Sequence, residues 1–171
     1  MLSINKPILI FFETQQTKTM TINPNDVKKI LEQEFFISKW NKAFHFLPKE
    51  FHEWALSSGL QISENKIDKW DAFEYGKIDF EESDFWDLLF NNEYSPSTEV
   101  LFMSTESLLK GKAFSFKLDG YYEFVTHYEN MFIMSLFQPE DYVIYLREYK
   151  EIKIIHHDGK LLKINKPEVT G

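Results

Sequence analysis

Three sets of side chains in this sequence have types and spacings that a reaction or a binding event can use. The first is Asp141 with Glu148-x-Lys150, followed by Glu151-x-Lys153. Two carboxylates can hold Mg²⁺ while a lysine stabilises developing negative charge, which is the logic of a metal-dependent phosphodiesterase or nuclease. E-x-K is common by chance, however, and here it falls in a polar hairpin. The second set is the histidines: His45, His52, His127, His156 and His157. None is spaced as a zinc pair on one helix face. His156 and His157 are adjacent, so on a strand they point to opposite faces and are expected not to share one ion. No metal or cofactor is expected on these grounds.

The third set carries the most weight. Asp68 to Glu93, DKWDAFEYGKIDFEESDFWDLLFNNE, concentrates acid beside large flat side chains. Carboxylates steer a cationic surface in and disfavour wrong partners, while aromatics provide desolvated anchors. The expected contacts to a basic protein partner are Trp70, Asp71, Glu74, Tyr75, Asp79, Glu81, Glu82, Asp84, Trp86 and Asp87. A solvated acidic face over an aromatic core is the plainer reading of the same pattern.

The elements that position these residues follow from periodicity. Pro7 to Thr14 reads as a strand, with Lys18 to Ile22 as its hairpin partner. Asn23-Pro24 marks a helix start, and Val27, Ile30, Leu31 and Phe35 continue it to about Ile37. Pro48 opens a second helix that Gly59 stops. Ser63 to Glu82 reads as loop, and Ser83 as the cap of a third helix over DFWDLLFNN. Thr98 to Ser104 and Ala113 to Leu118 read as strands, with a short capped helical turn from Thr105 to Lys110 between them. Tyr121, Phe124, Val125 and Tyr128 recur at helical spacing. Met131 to Phe137, Tyr142 to Arg147, Glu151 to His156 and Lys160 to Ile164 read as four strands, and their short links make a meander. Lys166 to Gly171 reads as a loose tail. The expected fold is α+β in one domain, 1–171: an N-terminal hairpin and helices packed on a C-terminal antiparallel β-meander.

Composition bounds the function. The 171 residues are 43% hydrophobic and include seventeen phenylalanines, enough for a core built largely of rings. There is no cysteine, which excludes disulfides, thiolate catalysis and cysteine-ligated metals. Together with the short apolar run Ile8 to Phe12, too brief for a signal-peptide core, this makes the cytoplasm the expected compartment. No apolar segment is long enough to span a bilayer. The net charge is −8, and Arg147 is the single arginine. Direct nucleic-acid binding through a basic face is therefore not expected. The aromatic excess is compatible with monomer or dimer.

The stretch from Phe132 to Ile164, FIMSLFQPEDYVIYLREYKEIKIIHHDGKLLKI, resembles the C-terminal sheet of small bacterial immunity proteins. These are the cytoplasmic antidotes of contact-dependent inhibition and other polymorphic toxin systems. The likeness lies in the F-x-P-x-D-Y turn from Phe137 to Tyr142, the strand after it, and K-I-I-H-H-D-G from Lys153 to Gly159. It implies a non-enzymatic inhibitor that binds one cognate toxin domain, of a basic nuclease type if the acidic segment is its interface. Two alternatives stay open at this point: the metal-dependent phosphodiesterase built on Asp141, Glu148 and Lys150, and a phage-type inhibitor that mimics nucleic acid.

Overall fold

A computed structural model describes residues 18–35 and 48–166. The predicted strand at 7–14, the segment 38–46 and the predicted tail from 167 onward lie outside the described residues. The fold is α+β. Among the described residues seven strands form one antiparallel sheet: β1 (Met20–Ile22), β2 (Gln61–Lys66), β3 (Glu99–Ser104), β4 (Ala113–Lys117), β5 (Tyr142–Leu146), β6 (Glu151–His156) and β7 (Lys160–Asn165), in the order β1-β4-β3-β5-β6-β7-β2. The helices are α1 (Pro24–Phe35), α2 (Pro48–Ser57), α3 (Trp70–Glu74), α4 (Glu82–Leu89), α5 (Thr105–Leu109) and α6 (Tyr121–Phe132).

Both faces of the sheet are covered. On one face Phe102, Phe114, Phe116, Tyr142 and Ile144 pack with Trp70 and Phe73 of α3, Phe85 and Leu89 of α4, and Phe124 and Tyr128 of α6. On the other, Leu101, Met103, Val143, Tyr145, Ile152 and Ile154 pack with Val27, Leu31 and Phe35 of α1 and Ala55 of α2. This explains why the central strands read as nearly unbroken apolar runs: every residue of β5 and β6 is buried.

Local signals account for several element ends. The Asn23 side chain accepts from Asn25 N at 2.9 Å, capping α1 ahead of Pro24. Gly59 ends α2 in the left-handed conformation, φ +70°, with Leu60 N donating to the Ala55 carbonyl at 2.9 Å. Ser104 caps α5, accepting from Ser107 N at 3.0 Å.

Three expectations are corrected. The segment predicted as loop from Ser63 to Glu82 contains most of β2 and all of α3. β2 is the polar edge strand QISENK; its ladder comes from β7, and its exposed charges give no alternation to read. The cap of α4 is Glu81, not Ser83: Asp84 Oδ2 accepts from Glu81 N at 2.8 Å. Met131 to Phe137 is not a strand. α6 continues through Phe132, Ile133 turns left-handed at φ +56°, and Leu136 and Phe137 are buried in a loop. That loop takes hydrogen bonds from side chains instead of a ladder: Leu136 N donates to Glu129 Oε1 at 2.9 Å, and Tyr142 Oη donates to the Leu136 carbonyl at 2.7 Å. The meander is therefore three-stranded, β5-β6-β7.

Candidate functional site

The acidic segment folds into α3, α4 and the turn between them. Two of the rings expected as anchors turn inward. Trp70 is 1% exposed and is corrected from interface to core: it packs edge-on to Phe73, and its Nε1 donates to the His157 carbonyl at 3.1 Å. Its position opening α3 points it at the sheet. Trp86 is half-buried against Phe90 and Tyr121. Tyr75, at the end of α3, is 75% exposed. Asp71, Glu74, Asp79, Glu81, Glu82, Asp84 and Asp87 are all exposed. Asp84 is committed to the α4 cap, and the Glu82 carbonyl accepts from Tyr121 Oη at 2.7 Å.

Three of these acids come together around a pocket of about 390 Å³. Glu74, Asp79 and Glu81 line it with Phe73 and Phe80, and the opposite wall is Ser135, Phe137, Gln138 and Pro139. Its aromatic part is a mutually packed trio: Phe73 to Phe80 is 4.6 Å between ring centroids, Phe80 to Phe137 is 4.8 Å, and Phe73 to Phe137 is 5.3 Å. Carboxylates beside ring faces suit the head and stem of a lysine or arginine. The wall from 135 to 139 was not anticipated, because those residues read as strand and turn. Burial also pushes Glu140 up to about 7, so at neutral pH it adds less than a full charge beside this wall.

The arrangement expected of a nuclease is not formed. Asp141 precedes β5 and Glu148 follows it, so roughly 17 Å of strand at ~3.4 Å per residue separates them. Glu151 and Lys153, two apart on β6, share a face but are buried against one another, Nζ to Oε1 3.6 Å. Tyr94 Oη donates to Glu151 Oε1 at 2.5 Å, and Lys163 Nζ lies 3.2 Å from Glu151 Oε2. Lys153 donates to the Leu89 carbonyl and lies 4.8 Å from the Tyr94 ring centroid. Burial lowers the Lys153 pKa, and Glu151 works against that shift. The group ties β6 to the end of α4. Lys153→Met is expected to cost about 2 kcal/mol in chemical denaturation, because Glu151 stays buried with one cation fewer. Adding Glu151→Leu should not restore the loss fully, since Tyr94 and Lys163 then lose their acceptor.

The histidines also depart from expectation. Tyr142 pairs with Ile155, so the β5–β6 register continued by one residue sets Asp141 opposite His156. His157 lies beyond the end of β6, where strict alternation no longer applies, and its ring comes to 4.1 Å from that of His156, centroid to centroid. Asp141, His156 and His157 thus offer ligand atoms within 4.8 Å of one another. The predicted meander held the signal for the Asp141–His156 pair; the turn geometry that recruits His157 was not readable. No known family, curated protein or solved structure matches the chain.

Proposed function

We propose that this chain is a non-enzymatic binding protein of the immunity type, which holds a basic domain of a cognate toxin and blocks it. The observation that carries the reading is the pocket where Glu74, Asp79 and Glu81 surround the rings of Phe73, Phe80 and Phe137. A long basic side chain of the partner enters it, its stem on the rings and its head between the carboxylates. Exposed Tyr75 adds an amphipathic contact at the rim. The remaining acids of α3 and α4, Asp71, Glu82 and Asp87, steer the encounter without deep burial. The net charge of −8 acts in the same direction. The resemblance of the 132–164 segment to immunity proteins supports the choice of partner, and the cytoplasm is where such an antidote works. Among the described residues no helix is long and apolar enough to cross a membrane.

The test is co-expression with the products of the adjacent genes, followed by purification through a tag on this chain. One stoichiometric partner is expected, with its toxicity lost in the complex. Association should slow by about tenfold from low to moderate salt, with little change in dissociation. Toxicity that persists in cells expressing both chains, or association insensitive to salt, would remove the reading.

A further inference from the structure

Beyond partner binding, we infer that Asp141, His156 and His157 form a binding site for a divalent transition-metal ion of the zinc type. The three residues come from the start of β5 and the end of β6, brought together by the strand register and the turn that follows. Asp141 and His156 are buried, and His157 is about half exposed, so the cluster has a dry floor and an open side.

The hydrogen bonds set the imidazoles for ligation. His156 Nδ1 is 2.6 Å from Asp158 Oδ1 and 3.3 Å from Asp158 N; in the neutral ring the shorter contact, to a carboxylate that only accepts, puts the proton on Nδ1 and the lone pair on Nε2. The His156 ring is thus oriented by a carboxylate outside the ligand set through its other nitrogen, the arrangement that metal-binding histidines use. His157 Nδ1 and Asp141 Oδ1 are 2.8 Å apart, a separation that two ligands of one ion adopt once the ion replaces the proton between them. The second observation is independent of this clustering: His156 Nε2 is buried and has no hydrogen-bond partner. A buried lone pair left unpaired is unfavourable, and an ion coordinated there removes the penalty. Two imidazoles and one carboxylate suit zinc and neighbouring transition ions better than Mg²⁺ or Ca²⁺, which prefer all-oxygen sets. Trp70 Nε1 holds the His157 carbonyl from below, and Trp70 also packs against Phe137 of the acidic pocket. An ion at the cluster therefore braces one wall of that pocket through two side chains.

The probe is Zn²⁺ alone, titrated by calorimetry into the isolated full-length protein, so failure here leaves the partner-binding proposal standing. One ion per chain is expected. Affinity should fall at least about tenfold in His157→Ala and in Asp158→Ala. Both positions are partly exposed, and matching thermal melts would establish that both variants fold. Co²⁺ in place of Zn²⁺ should shift or broaden the imidazole signals of His156 and His157 in NMR spectra and leave that of His127 unchanged. Absence of binding by the wild type, or binding that both substitutions leave intact, would overturn the site.

Discussion

Gly159→Ala is expected to lower stability by about 4 kcal/mol, more than the same change at Gly59, Gly76 or Gly111, where the added carbon meets nothing within 4 Å. Two penalties coincide at this position. Gly159 has φ +84°, where an L side chain is strained by about 1 kcal/mol or more. A Cβ there would also lie 2.5 Å from Trp70 Cγ, 2.6 Å from Cδ1 and 2.9 Å from Cβ. Trp70 cannot retreat cheaply, because it is packed against Phe73 and Phe137 and tied to the His157 carbonyl. The turn cannot shift easily either: Ile67 N donates to the Gly159 carbonyl at 2.8 Å, and Gly159 N donates to the His156 carbonyl at 2.9 Å. Gly59→Ala is the control. It has a similar φ, +70°, but nothing within 4 Å of the added carbon, so it should cost only about 1 kcal/mol. Guanidinium denaturation of the two variants separates conformation from collision. Equal losses would mean that Trp70 moves aside and that the α3–turn contact is soft.

Glu74→Lys with Asp79→Lys is expected to weaken partner binding by about 100-fold, or roughly 2.7 kcal/mol. Each reversal removes an attraction and places a like charge against the incoming cation. The pair is chosen so that the fold survives. Glu74 ends α3, where a positive charge favours the helix, and Asp79 lies in the turn before α4. Glu81 and Asp84 are left alone because they cap α4. Glu32→Lys with Glu148→Lys makes the same change in net charge at exposed sites outside the pocket. That control should slow association modestly and leave dissociation unchanged. If the two double variants lose affinity equally, the chain's overall charge is at work and the pocket is not the interface.

Element type was legible wherever one physical signal dominated. The Asn23-Pro24 start, the Gly59 stop and the spacing of Tyr121, Phe124, Val125 and Tyr128 are local properties of the chain, and each marks its element in the structure. β5, β6 and β7 were readable because apolar runs separated by tight links admit few alternatives. β2 was not, since a polar edge strand draws its hydrogen bonds from β7 and carries no pattern of its own. The run 131–137 misled because its apolar residues serve two masters, the last turn of α6 and a buried loop.

The candidate sites divide along the same line. Charge and ring content are additive along the chain, so an acidic, aromatic region between 68 and 93 follows from residue types alone. Which rings turn inward does not, because it depends on what lies beneath: Trp70 meets the turn at Gly159 and Phe137, whereas Tyr75 meets solvent. The far wall of the pocket lies some sixty residues downstream and needs the chain's return over the sheet to reach Glu74 and Asp79. The Asp141–His156–His157 cluster needs register as well. A strand pairing fixes neighbours to within one residue, and a slip of one position would turn His156 to the face away from Asp141. Composition and local periodicity thus settle the fold class and the sign of the surface, while long-range pairing chooses which few of the many acids, rings and histidines face one another.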